Sequence, residues 1–476
     1  MCCKKLNIIF LLVFIKLVFS SQYALTSKDS VENSKIILPL VQITATNSFI
    51  ALSNNYIGNA DFANISFESI ENNICNPPVW DDDGFTVNQI GHPLQGSLYY
   101  SIAKNHNHSY FESIPFVAFG SIQWEYFMET ERPAINDFIT TTLGGAMLGE
   151  IISRISDKII DDDSYGAERI VREVSVFTIN PVRGLNRLIS GNSNQTKESI
   201  GYRNSNINSY PLKLSFSTSK NLFNYLISEN IELDNKDSLK DTPFADYFLM
   251  LKYGDPFLDR KAFDYFLLYV GFSLDGDVIQ NVSARGLLWK KDVKLTDRAH
   301  NAFGMFQNLD YIKSTDYKVS ASSFGFEFMA RTKSKKEWQF STEYQAGFII
   351  LGAASTEYFI DVDRDYNFGP GGFVKIIMSL AKTDFGNISV NLNRFWIRTV
   401  SGAEGVESIG VGRIDIQKNL FYNFGLGIAY VLYDREGYYR SYPNIKVFNH
   451  EIRGVITYSL NITRRANHET SRSENF

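Results

Sequence analysis

The side chains best suited to chemistry lie in two short stretches of the N-terminal half of the chain. The stretch "VNQIGHPLQGSLYY" contains His92 and Gln95, which are three residues apart and would share one face of a helix. The stretch "QWEYFMETERPAINDF" contains Glu125, Asn136 and Asp137. An imidazole that is oriented by a carboxylate can act as a general base or as a metal ligand, so we predict His92, Glu125 and Asp137 as candidate catalytic residues. Gln95 and Asn136 are candidate binding residues beside them.

The same polar residues also allow a purely structural interpretation. Glu125 directly follows the apolar stretch "IPFVAFGSIQW", so its carboxylate would enter a helical core. A buried carboxylate is costly unless it is paired, and the obvious partners are His92 and Arg132. A satisfied network of this kind would fix helix packing without catalysing a reaction. The sequence leaves both alternatives open.

Other polar groups nearby suggest binding rather than catalysis. Arg183 and Arg187 are four residues apart in "NPVRGLNRLISG" and could grip a lipid phosphate, or form salt bridges with the acids at 161–163. His106 and His108, in "KNHNHS", are predicted in a solvated turn. The chain has no HExxH motif, nucleophile elbow, glycine-rich phosphate loop or zinc-type cysteine spacing, so the sequence assigns no metal and no cofactor.

Helical patterns surround these residues. Four helices are predicted, over 88–104, 109–131, 135–160 and 166–178. Ser109 and Glu112 have the spacing of a capping box, and Asn180 with Pro181 should begin a further helix. The helix after Ser109 is apolar on all sides, which is typical of a central, buried helix. Glycines in "TTTLGGAMLGE" should let another backbone approach closely.

From residue 210 onward the apolar period changes from helical to two. Twelve strands are predicted, near 212–217, 245–254, 263–274, 279–290, 300–311, 317–330, 337–351, 368–381, 385–396, 406–418, 421–433 and 447–460. Most have ten or more residues, the length of a tilted membrane-spanning strand. Alternating apolar and small or polar residues are typical of a transmembrane β-barrel. We therefore predict an α+β membrane protein with an N-terminal helical unit (80–190) and an antiparallel barrel of about 12 strands (210–462). The alternative is a secreted β-sandwich, with the apolar face inside.

The chain ends and the composition bear on its location. Residues 1–21 have a basic start and a short apolar core, so they are predicted to be a secretory signal peptide rather than a membrane anchor. Residues 22–79 are predicted to be a low-order linker, and 463–476 a polar tail. A net charge of −5 without a basic block excludes a nucleic-acid partner, and the 37 Phe and 26 Tyr favour strands. The expected location is the outer membrane of a Gram-negative bacterium.

Four blocks in the helical region carry a resemblance to a known family. They are "DGFTVNQIGHPLQGSLYYSIA", "SIQWEYFMETERPAINDF", "LGGAMLGE" and "NPVRGLNRLISG", and they cover about residues 80–190. In this order they resemble the uncharacterised bacterial family of unknown function 3943. The resemblance implies an exported envelope protein of Gram-negative bacteria with a β-rich C-terminal region. It implies no activity.

Two functions are compatible with these observations. The first is an envelope protein whose barrel lies in the lipid bilayer and binds or passes a lipid or small solute, or anchors the helical unit. In that case the helical unit would cap the barrel on the periplasmic side or plug it. The second is an envelope hydrolase or lipid-modifying enzyme that uses His92, Glu125 and Asp137.

Overall fold

The computed structural model describes residues 28–193, 210–229, 246–258, 261–274, 278–313, 317–333, 338–361, 363–382 and 385–462. The chain forms two compact units, one within residues 1–204 and one within residues 205–476. The predicted signal peptide and the predicted polar tail lie outside the described residues.

The described part of the N-terminal unit consists mainly of helices. Its α-helices are α1 (Lys28–Ser53), α2 (Phe67–Cys75), α3 (His92–Asn105), α4 (Tyr110–Phe127), α5 (Ile135–Ile139), α6 (Gly145–Ile159), α7 (Gly166–Ile179) and α8 (Pro181–Ile189). Wider π-helical turns precede α3, over Val87–Gly91, and join α5 to α6, over Thr140–Gly144. The four predicted helices correspond to α3, α4, α5 with α6, and α7.

The predicted helix starts are confirmed by their hydrogen bonds. The backbone N–H of Ser109 donates to the Glu112 carboxylate at 2.8 Å, within a complete capping box at the start of α4. The side chain of Asn180 accepts a hydrogen bond from the backbone N–H of Arg183 at 3.0 Å, and Pro181 occupies the first position of α8. These signals involve residues three apart in sequence, which is why they can be identified without the fold.

Glycines bring α3 and α6 into backbone contact. A Cβ atom added to Gly145 would lie 2.5 Å from the Cα of Gly96, which is far closer than two carbon atoms can approach. One turn further along, a Cβ atom on Gly149 would lie 2.5 Å from the Cβ of Tyr100. The predicted close approach at the glycine-rich segment is therefore confirmed, with α3 as the partner.

The prediction of a low-order linker over 22–79 is wrong for the described residues, because α1 and α2 occupy most of that range. The polar residues of α1 find partners in helices that are distant in sequence. Asn47 donates to the carbonyl of Gly120 at 3.0 Å and to the side chain of Gln123 at 3.1 Å. A composition rich in Ser, Asn and Thr suggests disorder only while such long-range partners are unknown.

The C-terminal unit is a closed antiparallel barrel of twelve strands, as predicted. The strands are β1 (Leu212–Glu229), β2 (Tyr247–Tyr253), β3 (Phe266–Phe272), β4 (Ile279–Asp292), β5 (Ala299–Lys313), β6 (Lys318–Thr332), β7 (Gln339–Ser355), β8 (Tyr366–Lys382), β9 (Gly386–Arg398), β10 (Gly405–Asn419), β11 (Phe424–Tyr439) and β12 (Ile445–Ile462). Each strand pairs with its neighbours in sequence, and β1 pairs with β12 to close the barrel. Closure leaves no unpaired edge, which is a requirement for strands in lipid.

The apolar side chains point away from the barrel interior. On β7, Phe340 and Phe348 are 43% and 47% exposed, whereas Gln345 between them in sequence points inward and is buried. On β11, Leu426 and Ile428 are exposed, whereas Ala429 is buried. A soluble β-sandwich would bury its apolar face, so this alternative is excluded. A closed barrel with an apolar outer face is a transmembrane barrel.

Candidate functional site

Three helical elements bring His92, Glu125 and Asp137 together. His92 begins α3, Glu125 lies in the last turn of α4, and Asp137 lies in α5. One potential ligand atom from each side chain lies within 4.8 Å of the other two. The Nε2 atom of His92 is 3.5 Å from Oδ1 of Asp137, so Asp137 forms an ion pair with the ring when His92 is protonated. All three side chains are buried.

Backbone pairing after α4 fixes the position of Glu125. The backbone N–H of Ala134 donates to Oε2 of Glu125 at 2.8 Å. Ala134 itself is held by an extended segment, because Val79 N–H donates to the Pro133 carbonyl and Ile135 N–H donates to the Val79 carbonyl, both at 2.9 Å. The carboxylate is therefore oriented by main-chain atoms that cannot rotate away.

Asn136 positions Asp137. Its Nδ2 donates to Oδ1 of Asp137 at 2.7 Å, and its Oδ1 accepts a hydrogen bond from the backbone N–H of Asp81 at 2.9 Å. Because both ends of the amide are engaged, Asn136 acts on the site through Asp137. Its amide orients the Asp137 carboxyl, and its predicted role as a binding residue stays a prediction.

The site carries an excess of acidic groups. Burial, and then the neighbouring Asp137, raises the pKa of Glu125 to about 8. Burial, and then Asp81 and Asp83, raises the pKa of Asp137 well above its ordinary value. Burial and the Glu125 carboxyl likewise raise the pKa of Glu129. Crowding of this kind favours protonated carboxyls or a bound cation.

The expected pairing of Arg132 with Glu125 is wrong. The Nη2 atom of Arg132 donates to the carbonyl oxygen of Pro77, so the guanidinium helps to hold the segment before α3. Among the ion pairs of the described residues, Asp137 is paired with His92 and no Lys or Arg is paired with Glu125. The imidazole is therefore the nearest basic group of this cluster.

Gln95 belongs to a different network. Its Nε2 donates to the hydroxyl of Tyr99 at 2.6 Å, and that hydroxyl donates to Oδ1 of Asn47 in α1. The helical spacing does place Gln95 one turn from His92, but its amide points toward α1. It therefore fixes helix packing, and its predicted role in binding a ligand stays a prediction.

Arg183 and Arg187 are engaged by acids of the helical unit. Arg187 contacts Glu173 at 2.6 Å and Asp162 at 2.7 Å, and Asp162 is one of the acids named in the sequence-based alternative. Arg183 forms an ion pair with Asp157. Salt bridges to nearby acids were one of the two alternatives for these arginines, and the structure contains them. A lipid phosphate would have to compete with these acids.

Two buried groups of the helical unit were not identified from the sequence. His106 was expected in solvent but is buried, with Nε2 3.2 Å from Oε1 of Gln42, and burial lowers its pKa to about 4. Glu150 is buried and contacts Lys104 at 2.8 Å and Arg154 at 2.7 Å. The spacing of Glu150 and Arg154, four residues apart, is the one local signal that could have shown this pair.

The barrel interior is the second place where function could reside, and side chains cross it. Lys375 of β8 contacts Asp310 of β5 at 2.6 Å. Tyr317, just before β6, stacks on Tyr433 of β11 with ring centroids 3.3 Å apart. Neither pair joins neighbouring strands, so both contacts pass through the lumen.

Arginines of β10 and β11 make further contacts inside the barrel. Arg435 of β11 contacts Glu407 of the adjacent β10 at 3.0 Å and Glu357, in the segment after β7, at 2.7 Å. The guanidinium of Arg413, on β10, lies 5.3 Å from the centroid of the Phe248 ring on β2. Arg435 and Arg413 thus make contacts with groups outside their own strand pair, at Glu357 and Phe248. In this conformation these side chains narrow the lumen at several points.

Comparisons with known proteins place the helical unit in a family context. Residues 77–182 match the family described as Domain of unknown function (DUF3943). Among proteins of curated function, none matches the chain in sequence. The match covers the elements that carry His92, Glu125 and Asp137, in agreement with the resemblance found in the four sequence blocks.

Solved structures that match the chain are barrels. The NanC porin is 12% identical, with 52% of this chain and 100% of that chain covered and a TM-score of 0.25. The outer membrane channel DcaP of Acinetobacter baumannii is 10% identical (53% and 96%, TM-score 0.21), and the P. putida toluene transporter TodX is 10% identical (54% and 91%, TM-score 0.21). Likeness at this level carries no argument about activity. The chain thus combines a region, residues 77–182, that matches the DUF3943 family of unknown function with a closed twelve-stranded barrel.

Proposed function

We propose that the chain is an outer-membrane protein of a Gram-negative bacterium, exported by its N-terminal signal peptide, with the lipid bilayer as its immediate partner. The observation that supports this is the outward apolar face of a closed barrel, of which Phe340, Phe348 and Leu426 are examples. Apolar side chains in this number are stable on an exterior only when hydrocarbon surrounds it.

Within the membrane, the barrel anchors the helical unit and binds a lipid or small solute rather than passing it freely. The contacts Lys375–Asp310, Tyr317–Tyr433 and Arg413–Phe248 support this role, because free passage needs a lumen that side chains do not cross. The arrangement in which the helical unit caps or plugs the barrel stays a prediction.

Membrane fractionation and conductance test this proposal. The mature protein should fractionate with the outer membrane, migrate differently on gels before and after heating, and conduct poorly in planar bilayers. Replacing Arg413 by alanine should raise conductance. The guanidinium extends from β10 through the lumen to the Phe248 ring on β2, and its removal would widen the lumen there. The matched control is Arg394→Ala in β9. Arg394 lies on the same outer face of the barrel as Leu392 and Trp396, so its removal should leave conductance unchanged. Recovery of the mature protein as a soluble periplasmic species would refute the proposal.

A second candidate function is supported by the convergence of His92, Glu125 and Asp137. In this hypothesis the helical unit is an envelope hydrolase or lipid-modifying enzyme, with the His92 imidazole as general base and the two carboxylates orienting it. Asp137 lies 3.5 Å from the imidazole, and a carboxyl oxygen of Glu125 lies within 4.8 Å of a ring nitrogen.

The variant His92→Ala separates the catalytic from the structural interpretation. If the site is catalytic, the variant keeps its unfolding midpoint. Cells that carry the unmodified protein then show a change in envelope lipid, and cells that carry the variant do not. If the site is structural, the midpoint falls and the lipid profile is unchanged. The variant His108→Ala is the matched control, because His108 lies outside the cluster and contacts the carbonyl oxygen of Lys35.

A further inference from the structure

We propose that His92, Glu125 and Asp137 form a binding site for one divalent transition-metal ion of the Zn²⁺ class. Nothing in the sequence pattern assigned a metal to this chain. The three residues come from three separate helices, so no short sequence motif contains them. The inference is independent of the barrel and does not rest on either proposed function.

The donor atoms have the right chemistry for such an ion. Zn²⁺ is bound in proteins by imidazole nitrogen and carboxylate oxygen at about 2.0–2.2 Å. In a tetrahedral site with such bonds, ligand atoms are separated by about 3.4 Å. The three donor atoms here lie within 4.8 Å of one another, so side-chain rotations that shorten these separations by up to about 1.4 Å would complete the site. One imidazole with two carboxylates favours zinc or a similar ion over magnesium, which prefers oxygen alone.

The cluster also brings carboxyl oxygens together with few basic groups nearby. The buried carboxyl groups of Glu125 and Asp137 have donor atoms within 4.8 Å of each other, and Arg132 donates to the carbonyl oxygen of Pro77 and not to either of them. A buried carboxylate is costly unless an opposite charge or hydrogen bonds compensate it. One divalent ion would neutralise the two ligating carboxylates.

The surroundings of the three residues resemble the outer shell of a metal site. The Ala134 N–H holds the carboxylate of Glu125 at 2.8 Å, and the Asn136 amide holds that of Asp137 at 2.7 Å. Such partners orient metal ligands and fix their ionisation. Three protein ligands leave a fourth position for water, which is the arrangement of zinc sites that bind substrates.

Metal titration of the full chain tests the site. The protein is purified from membranes in detergent without a polyhistidine tag, stripped with EDTA and titrated with ZnCl₂ against a chromophoric chelator. Bound zinc is then measured by mass spectrometry. We expect one Zn²⁺ per chain. The affinity should fall about 100-fold in His92→Gln and Asp137→Asn, and about tenfold in Asn136→Ala, the range seen for outer-shell changes. The control His108→Gln should bind zinc as the unmodified protein does.

Two results would overturn the inference. One is an unmodified protein that retains less than about a tenth of an equivalent of zinc. The other is unchanged zinc affinity in both His92→Gln and Asp137→Asn. If a variant loses its helical circular dichroism, its zinc affinity cannot test the site. The unmodified protein is then loaded with Co²⁺ and its absorption spectrum is recorded. Bands typical of nitrogen and oxygen ligands support the inference, and their absence refutes it. Equal binding of Mg²⁺ would refute the transition-metal assignment. All these readouts are independent of lipid chemistry, so the enzyme hypothesis can fail while the metal site stands.

Discussion

Replacing Gly96 by alanine should destabilise the helical unit, whereas the same change at Gly91 should stabilise it. Both glycines lie in the helical stretch that leads into and through α3, only five residues apart. A Cβ atom at position 96 would lie 2.9 Å from the Cα of Gly145 and would also meet the carbonyl oxygen of Thr141. A Cβ atom at position 91 meets only a side-chain methyl of Val87, at 3.8 Å, which is an ordinary contact.

The size of the effect follows from these distances. Carbon atoms pack at about 3.5–4.0 Å, so α3 and α6 would have to separate by roughly 0.6–1 Å in Gly96→Ala. Overpacking of this kind costs about 1–3 kcal/mol, and the upper end applies because the obstacle is backbone. Alanine regains about 1 kcal/mol of helix propensity at either position. The net change is a loss of about 2 kcal/mol at Gly96 and a gain of about 0.5–1 kcal/mol at Gly91.

Thermal unfolding in detergent measures the difference. Circular dichroism at 222 nm follows the helical unit, because a helical residue contributes several times the signal of a strand residue at that wavelength. A separation of about 3 kcal/mol corresponds to melting temperatures roughly 6–12 °C apart for a unit of this size. If the two variants melt within about 2 °C of each other, the backbone contact between α3 and α6 is wrong. The contact matters for the site because α3 carries His92 and α6 continues from the helix that carries Asp137.

Other residues of the helical unit lead to further measurable expectations. Ser109→Ala should cost about 1 kcal/mol in the same melts, because α4 loses its cap; an unchanged melting temperature would contradict the capping box. Burial lowers the pKa of His106 from 6.5 to about 4, so stability present above pH 6.5 should fall by about 3 kcal/mol as the pH drops to 4. Denaturant titrations of His106→Gln should lack that loss, and an identical pH slope would disprove it. Burial by itself would raise the pKa of Glu150. The neighbouring charges of Arg154 and Lys104 outweigh burial and lower this pKa from 4.5 to about 2. Its stabilisation of about 3 kcal/mol should therefore be present above pH 4.5 and disappear toward pH 2. At pH 7, Glu150→Gln should unfold at lower urea concentration, and an unchanged midpoint would count against the network.

Local signals made much of the secondary structure predictable. The capping box of Ser109 and Glu112 and the cap at Asn180 involve residues three apart, so the chain shows them without its fold. Alternation of apolar and polar residues likewise depends only on the pleat of a strand, and it identified all twelve strands. The strand ends were less predictable, because β1 continues to Glu229 through pairing with β12.

Long-range pairing decided what local patterns could not show. The helix α1 looked like a linker, because the partners of Asn47 lie more than 70 residues away at Gly120 and Gln123. His106 looked solvated, because the chain does not show that Gln42 covers it. In both cases a polar side chain can be buried without a large cost in free energy only because a group distant in sequence forms a hydrogen bond with it.

The sequence by itself determined the elements, the types of candidate site residue and the alternation of apolar side chains along each strand. Only the tertiary structure decided which way that apolar face points, because pairing of Leu212 with Ile462 closes the sheet and turns one face outward. Only the tertiary structure also turned Arg132 away and set Asp137 beside His92. Residue type and period are local properties of a chain, whereas closure and charge pairing depend on contacts between its distant parts.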